Sequence, residues 1–176
     1  GEIVALLGRN GAGKTSTLRT IARAGSPELK HGEILLDGQP LHTMQGYEAA
    51  RLGVQLVPED RRIIAGLTVE ENLKLAQIEP PIGWSLERIY EHFPRLAERR
   101  TQEGITMSGG EQQMLAMCRT LMGDPDLVMV DEPTEGLAPL MVTKVKELLL
   151  EIARRGASIL LCEQKLTIAP EISERL

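Results

Sequence analysis

The 176-residue sequence predicts an α/β domain with a mostly parallel β-sheet, a small antiparallel β layer and an inserted helical subdomain. The main observation is a series of short apolar runs that have the length and composition of buried strands. These runs occupy residues 3–7, 33–36, 54–57, 127–130 and 158–162. Helical patterns separate several of them, which is typical of parallel strands joined by crossover helices. From about residue 59 to residue 107 this alternation stops and the pattern is helical only.

A glycine-rich loop follows the first predicted strand. Residues 8–15 fit the pattern G-x-x-x-x-G-K-[ST], and residues 16–23 predict a helix directly after it. Glycines in the loop let the backbone turn its N–H groups inward, so a polyphosphate would meet these donors and a helix N-terminus together. Lys14 is expected to reach the β- and γ-phosphates, and the Thr15 hydroxyl to hold Mg²⁺. The predicted nucleoside triphosphate contacts are Gly8, Arg9, Asn10, Gly11, Ala12, Gly13, Lys14, Thr15 and Ser16.

Two further patterns define elements of the core. Residues 32–38 predict a strand closed by a turn at Asp37 and Gly38, which places this strand in a small antiparallel layer. Residues 139–155 carry apolar side chains at three- and four-residue spacing and therefore predict a long amphipathic helix that ends at Gly156.

The segment without strands predicts two helices. Thr68 and Glu71 have the capping-box spacing, so the first helix begins there and continues through Leu75. The second helix occupies residues 85–93 and is expected to stop at Pro94. We therefore interpret this segment as an all-helical insertion on the α/β core.

The strand predicted at residues 127–130 ends in two adjacent carboxylates, Asp131 and Glu132. A Mg²⁺–nucleotide site needs such groups: Asp131 would support the metal, and Glu132 would orient and deprotonate the attacking water. An Asp-Glu pair in isolation is more often a solvated turn. The buried strand before it and the separate phosphate loop favour the site.

Composition excludes several function classes. Hydrophobic residues make up 42% of the sequence and charged residues 26%, as in an ordinary globular domain. A net charge of −5 argues against a nucleic-acid partner. No apolar stretch reaches the length of a membrane span. Cys118 and Cys162 lie in apolar contexts without ligand spacing and are expected to be reduced core residues.

A third motif follows the predicted helical insertion. Residues 107–113 resemble the signature segment of ATP-binding cassette (ABC) ATPases, which is usually written Leu-Ser-Gly-Gly-Gln. The Ser108 hydroxyl and the bare N–H groups of Gly109 and Gly110 suit an anion at a helix start. Ser108 and Glu111 also have capping-box spacing, so a well-capped helix alone would explain these two residues. The order of the three motifs is that of the ABC family.

The resemblance covers essentially the whole chain. Finer features are similar to the ATPase subunits of bacterial branched-chain amino acid importers, and to the second of that system's two ATPase types. These features are residues 57–59, 67–73, 93–96, 110–116 and 131–139. A urea or short-chain amide importer is a related alternative.

The resemblance implies a P-loop NTPase fold and a single ABC ATPase domain over residues 1–176, trimmed at both ends. Its nucleotide-binding core would comprise residues 1–58 and 111–176. The helical subdomain would comprise residues 59–110 and end in the signature motif. The aromatic residue that stacks on adenine in this family is expected before the segment.

The resemblance also implies roles for individual residues. Lys14 and Glu132 would be catalytic together with Gln164, which stands at the position of the family's switch His. Glu59 stands where most members have a Gln that links magnesium and the γ-phosphate to the transporter. Ala138 replaces an Asp of the loop after the Asp-Glu strand. Because Gln164 carries no positive charge, we expect slow hydrolysis.

Ligands and partners follow from the same resemblance. The cofactors would be ATP and Mg²⁺, with Thr15, Asp131 and Glu59 at the metal. The signature residues Ser108, Gly109, Gly110 and Glu111 would contact the ATP of a second ABC ATPase, a paralogue, in a head-to-tail dimer.

The resemblance places the chain peripherally, at the cytoplasmic face of the inner membrane. Integral permease subunits would dock near residues 59–62, and an extracytoplasmic substrate-binding protein would act indirectly. Arg61 and Arg62 are equally consistent with a plain solvated pair. Alternative functions are a non-transport ABC protein acting on ribosomes or DNA, an exporter ATPase, and a non-catalytic nucleotide-binding regulator.

Overall fold

A computed structural model describes residues 1–78, 81–165 and 168–175. Within these ranges the strands are β1 (Ile3–Leu7), β2 (Leu35–Leu36), β3 (Gln39–Pro40), β4 (Val54–Val57), β5 (Leu127–Asp131) and β6 (Ser158–Glu163). The order in the main sheet is β1-β6-β5-β4, and each neighbouring pair is parallel. The predicted parallel sheet is confirmed. Strands β5 and β6 each extend one residue beyond the prediction, so Asp131 and Glu163 are their last residues.

The small antiparallel layer is also confirmed, with a correction to its length. Strands β2 and β3 pair antiparallel through a turn at Asp37 and Gly38, whose φ angles are 48° and 81°. Two positive φ angles are those of the type I′ turn that matches strand twist. The strand predicted from residue 33 begins only at residue 35. The Ile34 carbonyl instead accepts the Leu41 N–H, 2.9 Å away, beyond the paired strands.

The helices in the described ranges are α1 (Lys14–Ile21), α2 (Gly46–Arg51), α3 (Val69–Lys74), α4 (Leu86–His92), α5 (Pro94–Glu98), α6 (Gly109–Leu121), α7 (Pro139–Arg154) and α8 (Ala169–Ile172). Pro94 does not simply stop a helix, as the sequence predicted, because it is the first residue of α5. A proline fits there, since a first helical residue has no intrahelical N–H bond to lose. No helix of the described residues is both long and apolar enough to cross a membrane.

Two hydrophobic clusters lie on opposite faces of the main sheet. Alternate strand residues face each cluster: Val128 and Val130 point to one side of β5, and Met129 to the other. The larger cluster packs the sheet against α3, α4, α5, α6 and α7, and the smaller one packs it against α1 and α2. Cys118 and Cys162 are buried free thiols, as predicted.

The larger cluster is continuous between the sheet and the helices of residues 59–110. Helix α6 provides much of this continuity, since Leu115, Met117 and Leu121 are almost completely buried. The predicted capping box at the start of α3 is present: Thr68 Oγ1 accepts the Glu71 N–H at 3.2 Å, and Glu71 Oε2 accepts the Thr68 N–H at 2.8 Å.

Candidate nucleotide-binding site

The glycine-rich loop connects β1 directly to α1. Gly13 is the residue that precedes the first turn of α1, and its φ of 91° is a left-handed conformation. A Cβ at this position would contact nothing within 4 Å, so the backbone conformation rather than space favours glycine here. The first N–H groups of α1 therefore begin at Lys14, next to the loop, as a polyphosphate site requires.

The Lys14 ammonium is held by three oxygen atoms. Its Nζ lies 2.8 Å from the Gly8 carbonyl oxygen, 3.3 Å from that of Arg9 and 3.0 Å from Glu132 Oε1. An ammonium group has three N–H donors, so this set satisfies it. The Lys14 and Glu132 side chains are only 5% and 8% exposed. The structure thus joins the two residues that the sequence assigned to phosphate binding and to catalysis.

Asp131 lies beside this pair at the end of β5 and is 2% exposed. Burial raises the pKa of its carboxyl above the ordinary value, and a hydrogen bond with the Thr15 side chain opposes this effect. Among the described residues, its Oδ1 atom has no hydrogen-bond partner. A buried carboxylate oxygen without a partner, next to a threonine hydroxyl, is a donor set that suits Mg²⁺ or a water in its shell.

A cleft of about 300 Å³ opens above these residues. Its lining combines the loop and start of α1 with three carboxylates: Asn10, Gly11, Gly13, Lys14, Thr15, Ser16, Glu59, Glu132 and Glu135. Glu59, which the resemblance places at the metal, thus lines the same cleft as the phosphate loop. The cleft therefore joins the start of a helix to a group of acidic side chains.

Sequence reasoning missed Glu135. Hydrogen bonding and repulsion between its carboxyl and that of Glu132, together with repulsion from Glu59, raise the pKa of Glu135 above the ordinary value. The signal available in the sequence was its position three residues after Glu132, since the Glu135 N–H bonds the Glu132 carbonyl across a turn, at 3.2 Å. Glu132 itself has a φ of 47°, an uncommon conformation for a residue with a side chain.

Gln164 does not line this cleft. It lies in an adjoining cavity of about 470 Å³ that shares Glu132 and Glu135 with the cleft. Beside it, Glu163 is buried at the end of β6, and its Oε1 accepts the Thr134 hydroxyl at 2.7 Å. The predicted catalytic position of Gln164 is therefore next to Glu132 but outside the group of residues around Lys14.

The segment that resembles a signature lies away from the cleft, at the start of α6. Ser108 Oγ accepts the Glu111 N–H at 3.4 Å, and Glu111 Oε2 accepts the Ser108 N–H at 2.9 Å, which completes the predicted capping box. The other oxygen of Glu111 accepts a bond from Arg95 Nε at 2.9 Å. The Glu111 carboxylate is thus bound within the chain, whereas Ser108 and Gly109 are exposed.

Comparison with known protein families identifies the family to which a chain with this loop, these carboxylates and this capped helix belongs. The model of the ABC transporter family matches residues 1–135, which is most of the chain. The chain belongs to the ABC transporter family. It is therefore an ABC ATPase, an ATP-hydrolysing transport ATPase on a P-loop nucleotide-binding cassette.

Curated relatives of this ABC ATPase include proteins of more than one transport type. It is 40% identical to the high-affinity branched-chain amino acid transport ATP-binding protein BraG of Pseudomonas aeruginosa, over 99% of this chain and 76% of the relative. It is 32% identical to a probable branched-chain amino acid transport ATP-binding protein, LivF, of Archaeoglobus fulgidus, over 98% and 74%. It is also 30% identical to the lipopolysaccharide export system ATP-binding protein LptB of Haemophilus influenzae, over 99% and 73%.

Solved structures agree with the cassette fold of this ABC ATPase. A nucleotide-free ATP-binding cassette from an ABC transporter aligns with a TM-score of 0.80 at 22% identity, over 98% of this chain and 74% of that one. A dimeric bacterial ABC transporter cassette aligns with a TM-score of 0.79 at 24% identity, over 96% and 77%. At these identities the agreement concerns the fold.

Proposed function

We propose that this ABC ATPase energises the uptake of branched-chain amino acids, or of a related amino acid, urea or amide, across the bacterial inner membrane. The observation that carries the proposal is the 40% identity, over nearly the whole chain, to a protein named for high-affinity branched-chain amino acid transport. The motifs at residues 57–59 and 67–73, which resemble that subfamily, support the same assignment.

ATP binding would begin in the cleft at the start of α1. The loop N–H groups and Lys14 would hold the phosphates, and this would draw the Lys14 ammonium away from Glu132. Thr15, Asp131 and Glu59 would hold Mg²⁺, which neutralises developing phosphate charge when bound. Glu132, released from its ion pair, would then orient a water molecule and accept its proton.

Hydrolysis would require a second cassette. Ser108 and Gly109 are exposed and do not line the cleft of their own chain, so they are available to an ATP held by a partner. We propose a head-to-tail dimer with a paralogous ABC ATPase at the cytoplasmic face of the inner membrane. Permease subunits would contact the helical subdomain, which we place at residues 59–110, and a substrate-binding protein would act on the opposite side.

The test is affinity purification of the full-length protein from gently solubilised membranes, with the co-purifying proteins identified by mass spectrometry. We expect multi-spanning permease subunits, a second ABC ATPase and Mg²⁺-dependent ATP hydrolysis in the complex. Uptake of labelled leucine by the reconstituted complex would identify the substrate class. Recovery of a lipopolysaccharide export permease, in keeping with the 30% identity to LptB, would replace the importer by an exporter.

A further inference from the structure

A strained turn follows Glu59. This residue lines the phosphate cleft and is the first residue of the proposed helical subdomain. Arg61 and Arg62 have φ angles of 57° and 45°. Two consecutive non-glycine residues in the left-handed conformation are unusual. At each of them this conformation is populated roughly fivefold less, or lower still, than an ordinary backbone conformation. The turn must therefore be held by its surroundings.

Arg119, on helix α6, forms hydrogen bonds with the backbone of this turn. One terminal nitrogen of its guanidinium donates to the Arg62 carbonyl at 2.8 Å, and the other donates to the Arg61 carbonyl at 3.1 Å. The side chain is partly buried, and burial lowers its pKa. The planar fork of a guanidinium suits two neighbouring acceptors, whereas a lysine ammonium is a compact point charge.

The Arg61 side chain makes further contacts with the same helix, α6. Its Nε donates to Gln113 Oε1 at 3.1 Å, and Gln113 is 3% exposed. Its guanidinium also lies over Gly109, where a Cβ would come within 3.0 Å of a terminal nitrogen. Arg61 is therefore not a solvated residue, and only Arg62 of the pair has an exposed side chain, which pairs with Asp60.

These contacts tie two functional segments together through one helix. Residue 59 lines the cleft of its own chain, while α6 begins at the segment proposed to serve the partner's ATP. We propose that Arg119 is a positioning residue: by holding the Arg61–Arg62 turn, it fixes Glu59 on the cleft and Arg61 against Gly109. The position of the signature segment is thereby coupled to the phosphate cleft. The inference rests on the proposed function for the roles of Glu59 and Gly109.

The test compares Arg119→Gln with a double variant, Arg119→Gln/Arg62→Gly, in the full-length protein. Glycine adopts a left-handed φ at little cost, so Arg62→Gly should restore the turn without restoring the guanidinium. The single variant Arg62→Gly measures how loss of the exposed Arg62 side chain by itself affects exchange and ATP hydrolysis. Arg154→Gln is the matched surface control, because the Arg154 side chain is 69% exposed and, among the described residues, its ion pair is with Glu151 on its own helix.

Two readouts separate positioning from mere stability. Amide hydrogen exchange of residues 59–64 is measured without nucleotide, and the Mg²⁺ dependence of ATP hydrolysis is measured in the purified complex. For Arg119→Gln we expect about tenfold faster exchange in residues 59–64 with little change in α7, and an apparent Mg²⁺ affinity about fivefold weaker with kcat nearly kept. The double variant should recover most of both changes.

Other outcomes would overturn the inference. Equal acceleration of exchange in residues 59–64 and in α7, or no recovery on adding Arg62→Gly, would mean that Arg119 only stabilises the fold. Wild-type exchange in Arg119→Gln would mean that the guanidinium does not hold the turn. Absence of ATP hydrolysis in the wild-type complex would instead contradict the proposed function, while the exchange data would still decide the role of Arg119.

Discussion

Lys14 and Glu132 are nearly buried and 3.0 Å apart, so each neutralises the other in the absence of a competing charge. A phosphate bound to the loop would compete with the Glu132 carboxylate for the Lys14 ammonium, since phosphate and carboxylate are both anions. The ion pair therefore links binding to catalysis at the level of single side chains. The sequence predicted both residues from their motifs, but it did not predict this contact, because nothing in a local pattern reports the distance between two separate loops.

Glu132→Gln keeps the size of the side chain and removes its charge. We expect ATP turnover to fall by about a hundredfold or more, since the base is lost. We also expect ATP to raise the unfolding temperature by more than it does in the wild type, because Lys14 no longer has to leave a carboxylate. ATPase assays and thermal unfolding with and without ATP measure both effects, with Glu91→Gln, at an exposed position of α4, as control. Normal turnover would show that Glu132 is not the base.

Glu163 gives a prediction for pH. Burial raises the pKa of its carboxyl above the ordinary 4.5, while the hydrogen bond from Thr134 opposes the shift. The folded state thus holds this proton to higher pH than the unfolded state. The resulting stability is complete below about pH 4.5 and is lost as the pH rises through the folded pKa.

Glu163→Gln removes this loss of stability at higher pH, because the amide side chain does not ionise. The free energy of unfolding of the variant should therefore increase relative to that of the wild type as the pH rises above about 4.5. Denaturant unfolding of both proteins across this range measures the difference. A difference that stays constant with pH would contradict the raised pKa.

At the scale of elements, prediction succeeded where the determining contacts are local. The starts of α3 and α6 were predicted from Thr68 and Ser108, because an N-cap and its partner lie three residues apart. The limits of β2 and the existence of α5 were not predicted. Strand β2 is shortened where the chain leaves the pairing with β3, and Pro94 both ends one helical run and begins another.

Asn72 shows how a single buried amide joins elements. It is completely buried on α3, and its Oδ1 accepts the Ile64 N–H at 3.0 Å. Its Nδ2 donates to the carbonyls of Leu67 and Thr68, at 3.2 and 3.0 Å. The amide therefore fixes the segment between the strained turn and the start of α3.

Asn72→Leu conserves the volume of the side chain and leaves these backbone groups unpaired. We expect the free energy of unfolding to fall by about 2–4 kcal/mol, because buried donors and acceptors lose their partners. Ser85→Ala, which removes the N-cap of α4, should cost about 1 kcal/mol. Urea unfolding of both variants provides the comparison, and equal costs for the two would contradict the role of Asn72.

At the scale of the whole molecule, the site is formed where the carboxyl ends of β1, β5 and β6 meet. Parallel strands place these ends at one edge of the sheet, so the sequence order of motifs was sufficient to predict that Lys14 and Asp131 lie together. It was insufficient for Glu135 and Gln164. Their positions depend on the turn after β5 and on the chain after β6, which line a cleft and an adjoining cavity.

The helical segment and the sheet share one continuous hydrophobic cluster, and this predicts how the molecule unfolds. Leu115, on α6, is completely buried at their junction. Leu115→Ala should lower the free energy of unfolding by about 2–5 kcal/mol, whereas Leu140→Ala, at an exposed position, should change it by less than about 0.5 kcal/mol. Both parts of the chain should lose stability together, because neither retains a complete core without the other.

Trp84 makes this measurable, since it is the single tryptophan of the sequence. It lies in the helical segment, is 4% exposed, and its ring centre is 4.7 Å from the Arg155 guanidinium carbon, just after α7. Its fluorescence therefore reports on the helical segment, while far-ultraviolet circular dichroism reports on the whole chain. Coincident denaturation curves in wild type and in Leu115→Ala are expected for one cooperative unit. An earlier fluorescence transition would mean that residues 59–110 unfold separately, and the shared cluster would then not bind the two parts into one folding domain.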